Sequence, residues 1–364
     1  MRTITLCMIV KNEEDVLYQC LNSIKEICDE MIIVDTGSTD KTKEIAKQFT
    51  EKVIDFKWID DFSAARNIAF GHATMDYILW LDADDILLIK DQKKFKNLKT
   101  TLDSSFDAYS MIYNVAFDEF DNPTFSFRRN RLVKREKNFK WVGPVHEYLD
   151  VHGNIFPADI VITHRKTDKK NQSIQSDRNL KIYEKRLEKG EEFTPRDLFY
   201  YANELKEHAQ FQKSISFYEN FLATKKGWIE DEIRACINMA ISYRNLGNAE
   251  KEKESLVISF MYDLPRPEVT CRLGDIYTNK RDFKKAIKWY RLALEIEEED
   301  HQGFRQISYS TWYPHLQLCY CFWEIGDVEQ SLKHHKISIK YRPNDTNVKK
   351  NEEFFRTYFK NRKK

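Results

Sequence analysis

The sequence predicts an α/β domain built on a doubly wound parallel sheet, followed by an all-α domain of helical repeats. Three observations predict it. Apolar runs of strand length alternate with amphipathic helical patterns over residues 3–165, the order that winds a sheet with helices on both faces. The run Tyr77-Ile78-Leu79-Trp80-Leu81 reads as a buried parallel strand and empties into Asp82, Asp84 and Asp85. From about Asp197 the period changes, and helical hairpins recur when Ala202, Ala240, Gly274 and Cys319 are aligned.

In chain order, strand 4–10 precedes a helix over 14–27, strand 31–34 a helix over 40–49, and strand 52–56 a helix over 63–72. Ligands of such sheets bind outside the carboxyl ends of the strands. Lys11, Asn12 and Glu13 fall there after the first strand, Asp35 after the second and residues 82–85 after the fourth. Carboxylates crowded at the end of a buried strand repel one another and are costly to desolvate, which calls for a cation between them. Oxygen ligands suit Mg²⁺ or Mn²⁺, ions that usually hold a substrate's phosphates. The plainer alternative is a solvated turn with an Asp capping the next helix. The 10 glycines are too dispersed for a GxGxxG turn or a GxxxxGK[ST] loop, so a Gly-rich phosphate cradle is excluded. A metal on Asp82 and Asp84, with a cation such as Arg66, would neutralise a diphosphate instead.

Four segments carry a family resemblance: Leu6-Cys-Met-Ile-Val-Lys-Asn12-Glu13-Glu14, Val34-Asp35-Thr-Gly37-Ser-Thr-Asp40, Phe62-Ser-Ala-Ala-Arg66-Asn67 and Leu81-Asp82-Ala83-Asp84-Asp85. In this order and spacing they resemble the signatures of family 2 glycosyltransferases of the GT-A fold, with Asp82-Ala83-Asp84 as the DXD motif. Phe139-Lys-Trp-Val-Gly-Pro-Val-His146-Glu147-Tyr-Leu149, followed by the run that ends in His164, is similar to the subset with C-terminal tetratricopeptide repeats. That subset includes the peptide S-glycosyltransferases of glycosylated bacteriocins.

The resemblance implies a UDP-sugar donor held by Val10, Lys11, Glu13, Asp35, Arg66, Asp82 and Ala83. Asp35 would accept from the uracil ring, with Arg66 near the base or the diphosphate. Asp84, Asp82 and His164 would be the metal ligands. An inverting transfer needs a base opposite the leaving UDP. Glu147, placed after the Gly143-Pro144 turn, is the expected base, with His146 orienting it or meeting the diphosphate. Structural alternatives stay open: Asp35 starts a turn, Arg66 is exposed, Glu13 complements a helix dipole, and His146 and Glu147 form an edge-strand pair. Asp150 stands where a zinc HExxH motif needs its second histidine, so no zinc is expected.

The repeats are clearest in the third hairpin, with Leu273, Gly274, Tyr277, Ala286, Tyr290 and Ala293, and looser in the first two. Such stacks leave a concave groove suited to peptide. The expected divisions are a GT-A domain over 1–168, a helical linker over 169–194, tetratricopeptide-like repeats over 195–345, and a capping helix with a basic tail over 346–364. Lys+Arg 59 against Asp+Glu 58 gives no field for nucleic acid. No run is long enough to span a membrane, no signal peptide opens the chain, and seven scattered Cys without CxxC fit a reducing cytoplasm. The expected activity is metal-dependent, inverting transfer from a UDP-sugar to a Cys, Ser or Thr side chain of a peptide or protein held by the repeats. A glycan or lipid-linked acceptor, a sugar nucleotidyltransferase, and a repeat scaffold with an inactive GT-A domain are the rivals.

Overall fold

A computed structural model describes residues 2–118, 121–165, 177–296 and 305–362, in two compact units that divide at Lys189/Gly190. In the first unit, β1 (Ile4–Val10), β2 (Glu30–Asp35), β3 (Val53–Asp55) and β4 (Tyr77–Trp80) are parallel. Further strands are β5 (Asp85–Ile86), β6 (Ala108–Phe117), β7 (Pro123–Lys134) and β10 (Ile155–His164), while β8 (Trp141–Val142) and β9 (Tyr148–Leu149) form a separate hairpin. The sheet order is β3-β2-β1-β4-β7-β6-β10-β5. It is mixed, because β7 runs antiparallel between β4 and β6.

Alternation along the strands builds two cores. Ile4, Leu6, Met8 and Val10 of β1 face α1 (Leu17–Ile24), which buries Leu17, Cys20, Leu21 and Ile24 at helical spacing. The same layer holds α2 (Thr42–Ala46) through Ala46, and α4 (Ile89–Thr100) through Phe95. On the other face Cys7, Ile32, Val34, Ile78 and Trp80 pack against Ala69 and Phe70 of α3 (Phe62–Gly71). Helices on both faces are what a doubly wound sheet requires. The Asp61 carboxylate caps α3 by accepting from the Ala64 amide at 2.9 Å. The expected linker lies partly outside the described residues. Its described helix, α5 (Arg178–Glu188), packs on the first unit, where Lys185 meets Asp60 at 2.6 Å and buried Tyr183 stacks on His146.

The second unit is a series of helical hairpins. These are α6 (Pro195–Glu207) with α7 (Phe211–Ala223), α8 (Ile229–Asn245) with α9 (Ala249–Ile258), α10 (Pro267–Asn279) with α11 (Phe283–Glu295), and α12 (Trp312–Glu324) with α13 (Val328–Tyr341). Helix α14 (Thr346–Arg362) follows. Ala202, Ala240, Gly274 and Cys319 sit buried on the first helix of each pair. At Gly274 the smallness is obligatory, since a Cβ there would lie 2.5 Å from the Tyr290 ring of α11. Each hairpin turns through a residue of positive φ, namely Ala209, Gly247, Arg281 and Gly326. In the last three the next residue, Asn248, Asp282 or Asp327, caps the second helix with its side chain. All seven cysteines are free thiols, and among the described residues no helix is long and apolar enough to cross a membrane.

The last hairpin holds a histidine pair, His315 and His334, with Nδ1 atoms 2.8 Å apart. Burial, together with His315 and the charges of Lys333 and Arg291, pushes His334 down to about 4. A histidine whose folded value lies below its unfolded one, about 6.5, loses its stabilising contribution as the pH falls. The window runs from about 6.5 down to about 4, and the full loss is about 3 kcal/mol. Buried Asp231, pushed up to about 6 by burial, works in the opposite sense, so a difference between variants is the clean readout. His334→Gln is expected to reduce the acid-induced fall in melting temperature between pH 7 and 4, with His315 and His335, also lowered by burial, still contributing in the same sense. Parallel pH profiles for variant and wild type would assign that fall elsewhere.

Candidate active site

The first unit carries a cleft of about 340 Å³ at the carboxyl ends of β1, β2 and β4. Of the residues expected from sequence, Val10, Lys11, Glu13, Arg66, Asp82, Ala83, Asp84 and His164 line it. Asp35 lies just behind, next to the lining residue Thr36, while His146 and Glu147 stand outside the lining. Ile9, Trp58, Phe62 and Arg178 also line the cleft and were not anticipated.

Asp35 ends β2 in register with Val10. Its Oδ2 accepts from the Gly37 and Ser38 amides at 3.0 Å each, so it does start the turn, and Gly37 takes the positive φ this needs. Its Oδ1 is buried without a hydrogen-bond partner. A buried acceptor left open beside a cleft is a place for a donor N–H of a ligand.

Arg66 is buried rather than exposed. From α3 its Nη2 donates to Asp82 Oδ1 and its Nε to Glu147 Oε1, each at 2.6 Å. The guanidinium carbon lies 5.2 Å from the Trp80 ring centroid and 4.7 Å from that of Trp141. Burial disfavours both charges, yet Asp82 holds Arg66 above its ordinary value, and Arg66, with Arg131 and Arg129, holds the Asp82 carboxyl well below the usual range. Asn67 secures the same hairpin by exchanging two hydrogen bonds of 2.9 Å with the Trp141 backbone. His146 adopts φ 51° in the turn of that hairpin.

Asp84, Asp85 and His164 form a second group, with one ligand atom from each within 4.8 Å of the others. Antiparallel pairing of β10 with β5 sets His164 opposite Asp85. Its Nδ1 lies 3.2 Å from Asp84 Oδ1, 3.6 Å from Asp85 Oδ1 and 3.1 Å from the Tyr113 hydroxyl. Burial opposes the imidazolium, but Asp84 and Asp85 outweigh it and raise His164 to about 9. Asp82, expected as a ligand beside Asp84, is turned to Arg66, and Asp85 completes the group instead. Two carboxylates and an imidazole, with Asp85 Oδ1 buried and lacking a hydrogen bond, fit a divalent ion such as Mn²⁺. Glu13 faces this group; burial, then Asp84, Asp40 and Asp82, raise it to about 7.

Asp85 is also tied into the fold. It and Arg131 of β7 are fully buried and paired at 3.0 Å, and Asp85 Oδ2 accepts from the Asp82 amide at 3.0 Å. Removing one partner of a buried ion pair strands the other charge and costs about 3–5 kcal/mol. Arg131→Leu is expected to lose that much in chemical denaturation, and Arg131→Leu with Asp85→Asn to recover part of it. Equal losses for the single and double variants would show that the pair is not coupled.

Residues 5–151 match the family model of glycosyl transferase family 2, and residues 267–300 that of a tetratricopeptide repeat. A tetratricopeptide repeat-containing protein of Synechococcus elongatus is 37% identical over 151 residues, covering 41% of this chain and 36% of that protein. The SPbeta prophage-derived glycosyltransferase SunS of Bacillus subtilis is 30% identical over 234 residues, covering 60% of this chain and 54% of SunS. The chain thus spans about a third and about half of these relatives' lengths. The repeat match falls on the α10–α11 hairpin, the one clearest in sequence. The cleft therefore belongs to a family 2 glycosyltransferase domain, which the same chain joins to a helical-repeat region containing a tetratricopeptide repeat.

Proposed function

We propose that the protein is a metal-dependent, inverting glycosyltransferase that moves a sugar from a UDP-sugar to a Cys, Ser or Thr side chain of a peptide or protein recruited by the repeat unit. The observation that carries this reading is the Asp84–Asp85–His164 group beside the Arg66-bound Asp82, at the strand ends where the family 2 match lies. Residues 1–168 are taken as the catalytic domain, and 195–345 as the repeats that bring in the acceptor.

Asp35 would accept from the uracil through its open Oδ1, with Val10, Lys11 and Ala83 bordering the nucleotide and Glu13 facing the ribose. Asp84 and His164, with Asp85 and Asp82 next to them, would hold Mn²⁺ or Mg²⁺. Bound there, such an ion supplies positive charge to the leaving diphosphate. The acceptor sulfur or oxygen forms its bond to the anomeric carbon as the bond to UDP breaks, and UDP leaves with the electron pair. The acceptor's proton passes to the base, which we assign to Glu147. Arg66 fixes this carboxylate through Oε1, and Oε2 is the atom left to take the proton. His146, stacked on Tyr183, would orient the same loop.

Asp84→Asn and Glu147→Gln separate the two halves of the proposal. Asp84→Asn should abolish the Mn²⁺ dependence of UDP-sugar binding in calorimetric titration while the protein stays folded. Glu147→Gln keeps an acceptor for Arg66, so it should bind donor normally and transfer about 10²- to 10⁴-fold more slowly. Unchanged Mn²⁺ dependence in the first variant removes the metal site. A wild-type transfer rate in the second, with loss in His146→Ala, moves the base to His146.

A further inference from the structure

Strand β3 ends beside the end of β2, with Asp55 opposite Asp35, and the next amide, that of Phe56, donates to the Asp35 carbonyl at 2.8 Å. Trp58 follows two residues later, at most about 7 Å further along the chain. Phe56 packs on the core shared with α3, whereas the half-buried Trp58 lines the cleft. The indole thus brings an apolar surface to the end of the cleft where Asp35 keeps an open carboxylate oxygen.

Two contacts fix the ring. Its Nε1 donates to Asp60 Oδ1 at 3.0 Å, and the Phe62 ring meets it edge-on with centroids 4.7 Å apart. Asp60 is itself anchored, since its Oδ2 accepts from Lys185 of α5 at 2.6 Å. Phe62 already carries the Arg178 guanidinium, 4.5 Å from its centroid, while among the described residues no second ring and no cation packs on Trp58. A fixed indole beside a cleft is a surface on which a planar group stacks. Uracil offers its imide N–H in the plane of the ring and a π-face perpendicular to that plane, so one base can donate to Asp35 and stack on Trp58.

We infer that Trp58 is the stacking platform for the donor's nucleobase, set at the Asp35 end of the cleft by the loop between β3 and α3. The inference rests on the UDP-sugar reading above and adds to it a residue that recognises the base. Titration of the full chain with uridine, UDP and inorganic pyrophosphate, each with Mn²⁺, tests it. Trp58→Ala should weaken uridine and UDP alike by about tenfold, equivalent to about 1.4 kcal/mol, and leave pyrophosphate unchanged. Trp58→Phe keeps a smaller ring, so it should recover part of the loss while abolishing the tryptophan fluorescence quenching that uridine causes in the wild type. An unchanged uridine affinity in Trp58→Ala, an equal weakening of all three ligands, or uridine quenching that persists in Trp58→Phe overturns the assignment and leaves the donor reading standing. A wild-type protein that binds neither uridine nor UDP overturns both.

Discussion

Carboxylates buried at the end of β4 have to be neutralised, and arginines gathered around one tryptophan do it. The Trp80 ring has the guanidinium carbons of Arg131, Arg66 and Arg129 at 3.9, 5.2 and 5.6 Å from its centroid. Arg131 answers Asp85, and Arg66 answers both Asp82 and Glu147. An ion pair in this setting is not a large net source of stability, because desolvation offsets most of the attraction, but each partner becomes indispensable to the other. The pairs tie β4, α3, β7 and the β8–β9 hairpin together, so the site could not be removed without loosening the unit that carries it.

Topology supplies the partners that neighbouring sequence cannot. The last residue pair between β4 and β7 is Leu79 with Leu132, so the preceding residues of β7 run on past the carboxyl end of β4. A register shift in the pairing of β7 with β6 falls at Arg131, two residues on from Arg129, and both guanidinium groups lie over the Trp80 and Tyr113 rings, Arg131 paired with Asp85. A parallel strand in this place would end rather than start its run beside the carboxylates. On the far edge β10, parallel to β6 and so to β4, ends at His164 and delivers it opposite Asp85 of β5. The half of the sheet from β3 to β4 is parallel and the half beside it is mixed, and the candidate metal group combines Asp84 and Asp85, which follow β4 in the chain, with His164 from the far edge.

The parallel half was legible because its signals are local. Strands β1, β2 and β4 are apolar runs, and the polar residues in and beside the cleft follow directly from their ends. Strand β7 was not legible: Phe127-Arg-Arg-Asn-Arg131 carries three cations, and only ring faces and carboxylates some 45 residues away in sequence make it a strand. Asp85 was read as one of a cluster, with no sign of its arginine, and Asp82 was expected at the metal before Arg66 was known to hold it. Arg178 was invisible because a single arginine on an amphipathic helix has no pattern of its own. Of the two looser repeats the second had a usable signal in its hairpin turn, a left-handed residue followed by a capping side chain, which recurs at Gly247-Asn248, Arg281-Asp282 and Gly326-Asp327.

The repeat unit distributes its stability differently from the sheet. Its apolar clusters step along the chain: one joins α6, α7 and α8, the next α8, α9 and α10, and another α10, α11 and α12. The first helix of each inner hairpin thus belongs to two clusters, and no cluster spans the whole unit, so stability is close to a sum over neighbours. A perturbation in one hairpin is then felt mainly by the next. The ion pairs of the first unit lack this locality, since Arg66 alone joins residues 16 and 81 positions away. Substitutions in the repeats can accordingly retune one hairpin at a time, whereas a charge change at the β4 end has to be matched by its partner.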